Sequence, residues 1–114
     1  MRLTDLDPRW YAGPKGSVPE IHGLSFECPH CVQRPGSKEV IRLGVAFHHE
    51  AAAKMRIELP DHHILEEQIW QISGEVPGFD GDKHTGFDHV TLSPSVDASK
   101  SGHWHGFIIN GEIR

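Results

Sequence analysis

Glu39-Val40-Ile41-Arg42-Leu43-Gly44-Val45-Ala46-Phe47 is the stretch that decides the fold class. Ile41, Leu43, Val45 and Phe47 fall on one side of an extended chain, with Val40, Arg42, Gly44 and Ala46 on the other. A period of two over this length is the pattern of a sheet strand with one packed face. Upstream, Ile21 to Phe26 predicts a second strand that runs straight into Cys28. Downstream, Glu67 to Ser73, His89 to Leu92 and Trp104 to Ile109 predict further strands. Asn110-Gly111 is a strong two-residue hairpin signal, leaving Glu112 to Arg114 as a short terminal edge. Between these, Ala51-Ala52-Ala53-Lys54-Met55 has good helix propensity, but Pro60 stops it after one or two turns. Val76 to Asp88, rich in Gly and Asp, reads as a loop. Residues 1–19, punctuated by Pro8, Gly13, Pro14, Gly16 and Pro19, read as an irregular N-terminal arm anchored by Trp10 and Tyr11 to a β domain over 20–114. The expected fold is mostly β: a small single-domain antiparallel sheet or sandwich with a zinc knuckle and at most one short helix.

Composition narrows the function. A chain of 114 residues with 37% hydrophobic content has little apolar surface to bury, so a covalent or metal staple is expected. Ten His accompany only two Cys. No apolar run exceeds three residues (Val45 to Phe47, Phe107 to Ile109), which predicts no membrane-spanning segment. The polar opening Met1-Arg2-Leu3-Thr4-Asp5-Leu6-Asp7 and the Cys-x-x-Cys spacing fit a reducing cytoplasm better than secretion. Eleven basic against sixteen acidic residues give a net charge of −5, the wrong sign for a generic nucleic-acid binder.

Cys28-Pro29-His30-Cys31 carries the strongest chemical signal. Two thiolates on a tight knuckle can grip one ion. On a strand, His103 and His105 in Gly102-His103-Trp104-His105-Gly106 would point to the same face about 7 Å apart, and both could reach the same metal. The expected metal ligands are therefore Cys28, Cys31, His103 and His105, holding zinc and closing the early strand onto the last hairpin. The competing readings are a buried reduced pair or a redox couple. A redox motif would open a helix, and Val32-Gln33-Arg34-Pro35-Gly36 is a poor helix start. His30 is an alternative ligand. The pairs His48-His49 and His62-His63 read as surface histidines flanking a loop; neighbouring strand side chains diverge, so each pair offers one ligand at most. His84 and His89 read as surface or turn residues, and Trp70 and Trp104 as core.

The opening Met1 to Trp10, the Phe26-Glu27-Cys28-Pro29-His30-Cys31 knuckle, the Val90-Thr91-Leu92-Ser93-Pro94-Ser95-Val96 segment and the Trp104-His105-Gly106-Phe107-Ile108 ending occur together. In that order, across nearly the whole chain, they resemble a family of small phage, prophage and bacterial proteins classed as a domain of unknown function. The resemblance implies zinc binding. Relatives often carry a Cys shortly before the histidine that corresponds to His105, where this chain has Gly102 and His103. Either His103 replaces that thiolate or water fills the fourth position.

Two functions follow. A closed Cys2His2 site predicts a zinc-stabilised binding protein that acts through protein contacts with a host or viral partner. An open position predicts a small zinc hydrolase, with Glu112, Asp97 or Asp88 as general base. Ser93 and Ser95 lack a nucleophile elbow, and no His-x-Glu of the deaminase type accompanies the knuckle. A cupin-like metal oxygenase, suggested by His103 and His105 with Glu112, would place its Glu nearer the second histidine.

Overall fold

Arg42–Ala46 forms the central strand of a computed structural model that describes residues 1–12, 21–33, 40–65, 68–73 and 87–114. The alternation read from the sequence holds, but both faces of this strand are covered. Leu43 and Val45 are fully buried in the main core, as expected. Gly44 and Ala46, on the opposite face, are buried as well. Their small size is the reason: it lets a helix lie directly on the sheet.

Four strands make the main sheet, in the order β1 (Arg9–Ala12), β2 (Ile21–Glu27), β3 (Arg42–Ala46) and β4 (His62–Ile64). β1 and β3 each run antiparallel to β2 between them, whereas β4 runs parallel to β3. The parallel step is made by α2 (His49–Glu58), which crosses the sheet between them. This helix is longer than the one or two turns expected. It starts where the His48 side chain accepts from the Ala51 N–H at 3.2 Å, satisfying one of the donors a helix start leaves open. It ends at Leu59, just before Pro60. Ala51, Ala52 and Met55 pack with Ala46 as a second small core.

The remaining strands are short pairs. β5 (Gln71–Ser73) is antiparallel to β6 (Thr91–Ser93), β7 (Val96–Asp97) to β8 (His105–Gly106), and β9 (Ile108–Ile109) to β10 (Glu112–Ile113). The last pair turns at Asn110-Gly111, both with positive φ (50° and 76°), as the hairpin signal requires. β7 was not legible: its two residues pair only because β8 lies beside them. The fold is thus a small, mostly β domain with several antiparallel sheets and, among the described residues, one helix longer than two turns. No helix of the described residues is long and apolar enough to cross a membrane.

The stretch read as an irregular arm is built into the body over its described part. Leu3–Leu6 is a 3-10 helix whose Leu3 and Leu6 are fully buried, and Arg9–Ala12 is the edge strand β1. The two leucines, three apart, share one face of the turn and give the segment a reason to dock. Trp10 anchors it, stacked on Phe87 with ring centroids 4.5 Å apart. Residues 13–20 and most of the expected 76–88 loop lie outside the described residues, as do 66–67 at the start of the expected strand over 67–73.

Two predictions follow from the helix-bearing face. A Cβ at Gly23 would lie 2.7 Å from Met55 Sδ and 2.8 Å from the Val45 carbonyl oxygen, which cannot move aside independently. Gly23→Ala is expected to destabilise by about 1–3 kcal/mol, read as a lower denaturation midpoint at unchanged slope. On the same face, the Tyr11 hydroxyl donates to the Glu58 carboxylate at the end of α2. Burial, then that hydrogen bond and the Glu58 charge, push Tyr11 up from 10.0 to about 12. The fold therefore favours the neutral phenol, a contribution fully present below pH 10 and lost as pH rises through about 12. Tyr11 is the chain's one tyrosine, so an absorbance titration reads it alone; the expected midpoint is about 12, and one near 10 would mean the contact is not made.

Candidate metal centre

Cys28 sits one residue beyond β2 and stays on the ladder: its N–H donates to the Ile41 carbonyl at 2.8 Å, so the knuckle is tied to β3. The chain then makes a short helix, α1 (Pro29–Gln33), so the motif does open a helix after a strand, and the poor helix start read in Val32-Gln33 does not count against a redox couple. Pro29 at its first position suits a helix start, because the missing N–H would have no partner there. The turn brings the Cys31 sulfur within 4.8 Å of the Cys28 sulfur, and both cysteines are buried and not joined in a disulfide.

The opposite side of the site comes from the end of the chain. Ala98 donates to the Trp104 carbonyl at 2.9 Å and accepts from the His103 N–H at 3.0 Å, closing a loop at the mouth of the β7–β8 pair. Gly102, at φ 76°, ends the 3-10 turn Ser99–Ser101 inside that loop. Trp104 sets its position. The indole meets Phe26 edge-on at 6.1 Å and lies over Gly106, where a Cβ would fall 2.5 Å from the ring. Phe26 precedes Cys28 by two residues on β2. One aromatic contact therefore brings the two sides together.

Cys28, Cys31 and His103 converge so that one ligand atom from each lies within 4.8 Å of the others. The Cys31 sulfur and His103 Nδ1 are 3.6 Å apart. Two ligands at about 2.3 Å (S) and 2.0 Å (N) on one tetrahedral zinc would be about 3.5 Å apart. Two thiolates and an imidazole form a soft-to-borderline donor set that suits zinc among the common ions. Burial pushes the Cys28 thiol up, against hydrogen bonds from the backbones of Cys31 and Trp104 that favour the thiolate. A bound cation overturns that penalty, because a coordinating thiol is deprotonated outright. Burial, followed by the neighbouring His63 and His30, holds His103 below the usual imidazole range, toward the neutral form that ligates.

His105 is not part of this group. The expectation that it shares a face with His103 assumed one extended strand through both. β8 begins only at His105, while His103 and Trp104 belong to the closed loop before it. His105 is exposed and lies opposite Asp97. Nor do the expected general bases reach the site as members of the cluster. Asp97 accepts from the hydroxyl and backbone N–H of Ser99, which hold it below the usual carboxylate range. Glu112 pairs with Arg2 and Arg114, and Asp88 is exposed beside them, its carbonyl accepting from Arg2.

The other histidines are not uniformly surface chemistry. His30 and His49 are exposed, and His89 is bonded to Asn110 at 3.1 Å. His22 and His48, however, pair ring to ring across β2 and the start of α2, which no local pattern announced. His62 and His63 are half-buried on β4 and diverge as strand neighbours must. His62 lies beside Arg42 with Nδ1 unpartnered among the described residues, and burial and Arg42 hold it below the usual range. His63 faces His103. His84 lies outside the described residues. Comparison with protein-family models, curated proteins and solved structures finds no match to this chain.

The geometry distinguishes the two expected histidine ligands. In a chelator-competition titration with zinc, His103→Ala is expected to weaken binding by roughly two orders of magnitude or more, since even outer-shell losses reach that size. His105→Ala is expected to leave affinity within about twofold, and an equal loss would place His105 in the site.

Proposed function

We propose that this protein is a small zinc-stabilised binding module that acts through protein contacts. The convergence of Cys28, Cys31 and His103 carries the reading, since it joins the knuckle after β2 to a loop near the end of the chain. A metal there replaces apolar core that the chain lacks; a structural zinc contributes on the order of 10 kcal/mol in apparent binding free energy. Contact surface is available on the last strands. Phe107 and Ile109 point outward, while Gly106 and Ile108 between and beside them are buried. Exposed large apolar side chains in adjacent outward positions are the raw material of partner recognition. The net charge of −5 favours a protein over a nucleic acid as that partner. The phage and prophage resemblance makes a host or viral protein the expected one.

A second reading, a zinc hydrolase, draws on the number three: Cys28, Cys31 and His103 alone would leave one tetrahedral corner for water. Against it, no carboxylate among the described residues groups with the three donors, and Asp97 and Glu112 are engaged with Ser99 and with Arg2 and Arg114.

Metal analysis of the purified chain is expected to find about one zinc per chain. Stripping it with a strong chelator is expected to unfold the domain, seen as loss of the cooperative thermal transition, and Cys28→Ser is expected to do the same. A Cys28→Ser chain that stays folded while losing a hydrolytic activity of the native protein would favour the enzyme.

A further inference from the structure

We infer that His63, and neither His105 nor His30, supplies the fourth ligand and closes the metal site; this rests on the reading that Cys28, Cys31 and His103 hold zinc. His63 reaches the site through the sheet. β4 pairs with β3 in parallel, with His63 opposite Leu43, and Leu43 is opposite Phe26 on β2. The row Phe26, Leu43, His63 therefore shares one face, and the next position on that face of β2 is Cys28. His62, one residue away, lies on the opposite face beside Arg42, so the pair offers one histidine to the site.

The spacing of the rings is the second observation. The His63 and His103 ring centroids are 5.6 Å apart, with planes inclined at 51°. Two imidazoles bound to one tetrahedral zinc, each nitrogen about 2.0 Å from the ion, would have centroids about 5 Å apart. The two rings thus stand almost at ligand spacing, although no sequence proximity brings them together. His63 is outside the 4.8 Å triangle of the other three donors. Its ring nevertheless stands against the ring of His103, one of those three donors. The rivals are placed differently: His105 is exposed opposite Asp97, and His30, though near enough to His103 for their charges to interact, is exposed on α1 and makes no ring contact with it. With His63 bound, the zinc is four-coordinate and cross-links β4 as well as the knuckle and the final loop. Such a site is structural, without a place for reacting water.

Cobalt(II) titration of the full-length chain tests the assignment, because thiolate-to-cobalt absorption counts sulfur ligands and visible ligand-field bands report tetrahedral geometry. In the wild-type chain both are expected. Absence of the thiolate band there would overturn the metal reading and this assignment with it. His63→Cys is expected to bind cobalt as a three-thiolate site, raising charge-transfer intensity about one and a half-fold over the wild type. His105→Cys and His30→Cys are expected to leave it unchanged. His63→Ala, with folding followed by circular dichroism, is expected to weaken cobalt binding by roughly a hundredfold. Wild-type cobalt binding combined with unchanged intensity in His63→Cys would overturn the assignment alone. Increased intensity in His105→Cys or His30→Cys instead would name the true ligand.

Discussion

The ladder between β2 and β3 is the constraint on which the rest of the structure depends. It runs from Gly23 opposite Ala46 to Glu27 opposite Arg42, and the Cys28 N–H extends it one step to Ile41. One face of these strands presents Leu24, Phe26, Leu43 and Val45 to the main core. The other presents Gly23, Ser25, Gly44 and Ala46, small enough for α2 to lie against it and for Met55 to fill the space. Because the same two strands are packed from both sides, a shift in their register would move every apolar side chain to the wrong face. It would also withdraw Cys28 from its partners.

The candidate metal centre grows out of that ladder. β2 delivers Phe26 and Cys28 two residues apart; Phe26 receives Trp104, and Trp104 leaves His103 beside Cys31. β3 delivers β4, which places His63 beside His103. Four segments far apart in sequence therefore meet at one corner of the sheet. Loop closure over such distances costs conformational entropy, which a metal held at that corner would offset in part.

Legibility followed the range of the interactions involved. The central strand, the strand into Cys28, the helix stopped by Pro60 and the Asn110-Gly111 turn each depend on residues within a few positions, and local periodicity or turn chemistry revealed them. The cysteine pair was legible for the same reason, because two residues fix its spacing. β1 and β7 were not, since a strand of two to four residues has no periodicity of its own and exists only where a neighbour is already in place. The placement of His105 beside His103 departed from the structure on a related point. It assumed that a run of polar and aromatic residues is extended throughout, whereas hydrogen bonds to Ala98 fold the first half into a loop. His62 and His63 looked like surface residues because nothing nearby in sequence shows that β4 runs beside β3.

By itself, the sequence determined a small, mostly β domain, its central strand, its terminal hairpin and a pair of cysteines spaced as metal ligands often are. Those features are written in alternation, turn residues and short spacings, which act over one or two residues. Only the tertiary structure decided that His103 rather than His105 stands with the cysteines, and that both faces of the central strand are packed. Those choices depend on the parallel step through α2, the closed loop before β8 and the seating of Trp104 on Phe26. Each is a contact between residues distant in the chain, and a linear pattern carries no record of it.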